Sequence, residues 1–147
     1  MKNFRKKIAL LASLAFVMGA AYGVATPLSA AKIDDSVQRH VGKSVNRIPE
    51  SGIVRLKMPA IAESPLQVPV SLVSRVSPDQ VDSAYIFVDN NPTPFVVKAT
   101  FTPKSGKVFV ATRIKVMKST KVRAVIKLKN GKVYQNTRFI KVTAAGC

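Results

Sequence analysis

Cysteine and histidine each occur once in the 147 residues, tryptophan is absent, and no acidic residue follows Asp89. A single cysteine excludes an internal disulfide and any metal site built on paired cysteines. One histidine and seven scattered acids are thin material for general acid–base work, and neither a Gly-rich phosphate loop nor a His-Glu metal motif occurs. No catalytic residue and no metal ligand is therefore assigned, and an independent enzyme is not expected. A Ser-His-Asp triad would have to recruit His40, which sits in the weakest-looking segment of the mature chain and reads as an inert surface histidine.

What is present begins with a leader. Lys2, Arg5, Lys6 and Lys7 precede an uncharged apolar run from Ile8 to about Ala21, the basic and apolar regions of a secretory signal peptide. Small residues at Ser29-Ala30-Ala31 place the expected cleavage after Ala31, with Ala25 and Ala30 as alternative sites. An uncleaved membrane anchor is the competing reading, because the run approaches the ~18 residues that begin to span a bilayer; Gly19, Gly23 and Pro27 weaken it. Residues 1–31 are thus expected to be a signal peptide, and Lys32 to Cys147 one exported domain. No second apolar segment of spanning length follows, so stable membrane insertion is not expected after cleavage, and in a Gram-negative cell the location is the periplasm.

Without the leader's four cations, 20 basic residues face 7 acidic ones, a net charge of +13. Thirteen lysines and arginines lie after Asp89, which makes the C-terminal half a cationic surface. Such a field favours anionic ligands, acidic proteins or anionic lipid. Nucleic acid is not expected as a partner, since export removes the usual target and few aromatics interleave with the basic strands.

Ile33, Val37, Val41 and Val45 recur at four-residue spacing, predicting a short helix between Lys32 and Arg47, capped by Asp34 and interrupted by Gly42. From Ile53 onward the period becomes two. In "KVFVATRIKV" Val108, Val110, Thr112, Ile114 and Val116 share one face; in "KVRAVIKLK" Val122, Ala124, Ile126 and Leu128 do. Asn130-Gly131 predicts a type I′ hairpin turn, and the return strand, Lys132 to Thr143, shifts phase at Phe139 and Ile140, predicting a bulge. "GIVRLKM", "QVPVSLVS", "SAYIFV" and "FVVKATFT" complete about seven strands. Pro69 argues for an edge or bulged position within its strand. The expected fold is all-β: an immunoglobulin-like antiparallel β-sandwich with a short N-terminal helix and a flexible C-terminal tail.

The one thiol stands on that tail. With the last strand ending near Thr143, Ala144, Ala145 and Gly146 form an arm that cannot pack, and four extended residues reach roughly 13 to 14 Å from the sheet. Small side chains and a glycine let such an arm enter a narrow channel. Cys147 is then a nucleophile offered to something outside the fold, against the alternative of an incidental thiol on a frayed end.

"PAIAESPLQVPVSL" (Pro59 to Leu72), "VDNNPTPF" (Val88 to Phe95), "FVATRIKV" (Phe109 to Val116) and the closing "KVTAAGC" resemble, in order and spacing, SoxY, the sulfur-carrier subunit of the SoxYZ complex of bacterial thiosulfate oxidation. The resemblance covers nearly all of the mature chain. It implies an immunoglobulin-like sandwich paired with a SoxZ-like subunit. It also implies no cofactor, with a sulfur intermediate held covalently on Cys147. Partner enzymes would act on that sulfur: the haem protein SoxAX attaches thiosulfate oxidatively, SoxB removes sulfate, and SoxCD, where present, oxidises the remaining sulfane sulfur. The family tail usually reads Gly-Gly-Cys-Gly-Gly, whereas this sequence has Ala145 in place of one glycine and stops at Cys147. An α-carboxylate beside the thiol is expected to raise its pKa modestly above the ~8.5 reference, since two charges ~4 Å apart in water interact by about 1 kcal/mol, while the neighbouring cationic surface acts the other way. The alternative function is a cationic binding module for acidic protein or anionic glycolipid; a SoxY-like paralogue outside the full cycle stands between the two.

Overall fold

The computed structural model describes residues 28–143. The expected leader up to residue 27, and the arm with Cys147, lie outside the described residues. Within them are helix α1 (Leu28–Val41) and strands β1 (Val54–Lys57), β2 (Ile61–Ala62), β3 (Val68–Ser74), β4 (Val81–Val88), β5 (Phe95–Thr100), β6 (Phe109–Ile114), β7 (Thr120–Leu128) and β8 (Val133–Val142). All seven predicted strands form, and β2 joins them.

The strands make two sheets, β1-β3-β6 and β2-β8-β7-β4-β5. All pairings are antiparallel except β2 against β8, where Ile61 lies opposite Lys141 and Ala62 opposite Val142. The sandwich is therefore mixed rather than purely antiparallel. The chain leaves β1 in one sheet and enters β2 in the other within a few residues, and this switch closes the sandwich along one side.

Alternation explains which face each strand buries. Val54, Leu56, Val70, Leu72, Val108, Ile114, Val122, Ala124 and Ile126 fill the core between the sheets. β4 breaks the alternation, because every residue except Asp82 is buried. Its second face packs under α1 in a separate cluster of Ile33, Val37, Val41, Val45, Tyr85, Phe87, Val125 and Val133. A strand covered on both sides reads as a continuous apolar run, and "SAYIFV" is one.

The helix is longer at its start than predicted and shorter at its end. α1 runs through the expected cleavage point at Ala31, yet its buried residues, Ile33, Ser36, Val37 and Val41, all follow that point. Gly42, at φ 83°, ends it, as a left-handed residue after a helix commonly does. Asp34 does not cap α1. It lies inside the helix, and its carboxylate accepts hydrogen bonds from Ser44 Oγ and the Val45 amide, both at 2.7 Å. That contact folds the chain back so that Val45, in a 3-10 turn, rejoins the helix cluster. His40 stacks on Phe95 with ring centroids 4.0 Å apart. Its Nδ1–H donates to the Ser36 carbonyl at 2.8 Å, a packing role.

Two further expectations need correction, and a third holds. The Asn130-Gly131 hairpin forms, but the Gly131 amide donates to the Leu128 carbonyl, so Lys129 and Asn130 occupy the turn centre and Gly131 follows at φ 81°. The loop is thus one residue longer than a type I′ turn. No bulge interrupts β8 at Phe139 and Ile140, since its register with β7 is continuous from Thr120↔Ile140 to Lys127↔Val133. The apparent phase change arises because Phe139 is exposed on the α1 side while Ile140 is buried in the core; the sheet's irregularities lie in β4 instead. Pro69 has the edge position expected of it: it lies opposite Arg113 of β6, in the strand between β1 and β6. The pairing of β3 with β1 ends at Ser71, so Pro69 lies beyond β1 and interrupts no ladder on that side.

Candidate functional site

The site expected from the sequence is Cys147 on the arm Ala144, Ala145, Gly146. All four lie outside the described residues, so what can be built is the root from which the arm departs. β8 reaches that root held on both edges. On one side the Lys141 amide donates to the Ala60 carbonyl at 2.9 Å, and the Thr143 amide to Ala62 at 3.3 Å. On the other the Val142 amide donates to Ser119 Oγ at 2.9 Å. The two-residue strand β2 thus acts as a clasp on the last turnless stretch of chain before the arm. Small residues at Ala60 and Ala62 permit the close approach.

A second brace stands beside the first. Asn91 Nδ2 donates to the Lys115 carbonyl at 2.7 Å and Asn91 Oδ1 accepts the Met117 amide at 3.1 Å. This ties the β4–β5 loop to the β6–β7 loop in the manner of a backbone pair. The Asn90 amide donates to Thr120 Oγ1 at 3.1 Å, and the Val116 amide donates to Pro65 at 2.8 Å. Segments far apart in sequence, 59–72, 88–95 and 109–116, therefore meet at the end of the sandwich where β8 delivers the arm. Their nearness follows from the fold and not from any one segment. Ser119, which pins Val142, was not legible as a site residue, because an isolated serine in a basic loop carries no pattern.

The electrostatics of the root are one-sided. Lys115, Lys118, Lys121 and Lys141 are all exposed. Asp89, the acid nearest in sequence to the root, is taken by Arg123: Nε and Nη2 meet its two carboxylate oxygens, each at 2.8 Å, with both side chains 14% exposed. Glu63, next to the clasp, is the other acid of this end. Among the described residues the ion pairs are Asp89–Arg123 and Asp35–Arg39, which leaves the root lysines free to act on an anion. A crevice lined in part by Asn90, Ser119, Lys121, Arg123 and Phe139 opens beside them. Among the described residues, no three His, Cys, Asp or Glu side chains gather as a metal site, and no helix is long and apolar enough to cross a membrane.

The described end of β8 is thus held on both edges and set among exposed lysines. The structure of the sulfur carrier protein SoxY from Chlorobium limicola f thiosulfatophilum matches with a TM-score of 0.67 and 30% identity, over 78% of this chain and 94% of that one. Superoxide reductase (neelaredoxin) from Ignicoccus hospitalis matches at 15% identity and a TM-score of 0.54, over 69% of this chain and 100% of that one, a likeness of fold alone. Among curated proteins no match is found. The family model for the sulfur oxidation protein SoxY matches residues 38–147. A match of that extent, joined to the SoxY structure's fold, places the chain in the SoxY family of sulfur oxidation proteins.

Proposed function

We propose that this chain is an exported sulfur carrier that holds thiosulfate-derived sulfur on Cys147 and presents it to the enzymes of thiosulfate oxidation. The observation that carries the reading is the convergence of the three family-like segments on the end of β8, five residues before the lone thiol. In the loading step the Cys147 sulfur bonds to the sulfane sulfur of thiosulfate. The thiol gives up its proton, and two electrons leave to a haem partner of the SoxAX type. Hydrolysis by a SoxB-type enzyme then breaks the bond to the sulfonate, water supplies the oxygen of the released sulfate, and a persulfide stays on Cys147. A SoxCD-type enzyme oxidises that sulfane sulfur where it is present. The carrier is no catalyst, needs no cofactor, and pairs with a SoxZ-like subunit. Residues 1–31 are its signal peptide, 32–143 its immunoglobulin-like domain and 144–147 its carrier tail, and its compartment is the periplasm.

The test is intact mass of the protein from thiosulfate-grown cells. Additions of sulfur and of thiosulfate are expected on Cys147, removable by reductant, and Cys147→Ser is expected to lose them and thiosulfate oxidation together while the fold is unchanged by circular dichroism. Normal oxidation with normal amounts of the Cys147→Ser protein would sink the proposal. It would favour the alternative, a cationic module for acidic protein or anionic glycolipid, to which the unpaired surface lysines also lend support.

A further inference from the structure

The outer face of the β1-β3-β6 sheet has a composition that its inner face does not explain. The strands' inward residues fill the core, and their outward residues fall into rows across the sheet: Arg55, Val73 and Phe109 in one, and Lys57, Ser71 and Ala111 in the next, with Pro69 opposite Arg113 beyond. The centre is small or apolar and the borders are cationic. Phe109 is 46% exposed, with Lys107 Nζ 5.4 Å from its ring centroid. Gln67 Oε1 accepts a hydrogen bond from Arg113 Nη1 at 2.9 Å, which holds that guanidinium in place before anything binds. None of the three strands contains an acid, so no cation of this face is neutralised within its own sheet.

Phe109, half-exposed on the outer strand β6 beside the small and apolar Val73, Ser71 and Ala111, gives this face the aromatic and apolar composition of an interface, and charges without an acidic partner in the sheet select a partner of opposite sign. A two-fold contact with a second copy sets like patches against each other, here with their cations opposed. A lipid surface finds only one large side chain to take up. We propose that this face docks a different protein chain, one that presents an apolar strip bordered by carboxylates, with Lys57 and Arg113 meeting those carboxylates. The inference rests on the carrier reading only in that a carrier requires a protein partner. It adds where that partner sits. Lys57 lies three residues before Ala60, whose carbonyl holds Lys141, so a partner on this face flanks the root of the arm.

The experiment places a photoreactive benzoyl-phenylalanine at Phe109 in the full chain, made in thiosulfate-grown cells. Irradiation is expected to yield an adduct with one other protein, whose cross-linked peptide contains Asp or Glu. The double substitution Lys57→Glu and Arg113→Glu should lower the adduct by about tenfold or more, as like charges brought face to face disfavour docking, with an unchanged thermal melt because both residues are exposed. Reversing the partner's identified carboxylates to lysine should restore it. An adduct with a second copy, an adduct with lipid, no adduct, or a yield indifferent to charge reversal would each overturn the proposal. Sulfur additions on Cys147, weighed in the same samples, separate the two readings: loading without a Phe109 adduct removes the docking face and leaves the carrier.

Discussion

Asp89 and Arg123 show how much a single pair organises here. Arg123 stands in β7 between the buried Val122 and Ala124, its guanidinium spanning Asp89 on one side and Gln135 Oε1, 3.3 Å away, on the other. Gln135 in turn donates to the Ile48 carbonyl at 2.8 Å. The chain of contacts joins β4, β7 and β8 to the segment that follows α1. Removing the carboxylate leaves a largely buried guanidinium short of its acceptors, and hydrogen bonds to charged groups contribute about 1.5–3 kcal/mol. Asp89→Ala is therefore expected to lower unfolding stability by about that amount in urea titration. Replacing both partners with apolar residues should cost less than the two single changes together. Sequence had marked Asp89 only as the last acid. That it is the acid spent on a structural pair, so that it does not oppose the root lysines, depends on β4 and β7 being neighbours.

At the scale of the element, β8 does two things with one register. Its middle pairs with β7 over eight residues, and its end passes into the clasp of β2 and Ser119. Ser119→Ala removes the acceptor of the Val142 amide without touching the core. Hydrogen exchange at Val142 should accelerate by roughly fivefold for a bond of about 1 kcal/mol, while Ile140 exchanges as before; equal acceleration at both would show that the clasp is not local. The strands themselves were legible because a period of two survives wherever one face is buried. Two features were not. The supposed bulge in β8 was an exposed Phe139 mistaken for a core residue, and the turn at Asn130-Gly131 could not reveal which residues close it, since one residue of register is decided by the strands' pairing and not by the turn's wording.

For the whole molecule, the excess of cations over acids should govern encounter. Thiosulfate is a dianion and the surface field extends about a Debye length, ~10 Å at 0.1 M salt and ~3 Å at 1 M. The loading rate of Cys147 by thiosulfate and its oxidising partner is expected to fall as ionic strength rises from 0.05 to 0.5 M, as charge-steered encounters do, with the melting temperature little changed; a salt-independent rate would remove the charge from the mechanism. Composition and periodicity by themselves determined the all-β class, the amphipathic N-terminal helix, seven of the eight described strands, the cationic surface and the lone thiol. These are local or additive properties, and a residue carries them wherever the chain goes. Only tertiary structure decided that α1 covers β4, that β2 runs parallel to the end of β8, and that Asp89 belongs to Arg123. Each of these joins residues tens of positions apart, and such contacts are fixed by how two sheets share one core rather than by any stretch of sequence alone.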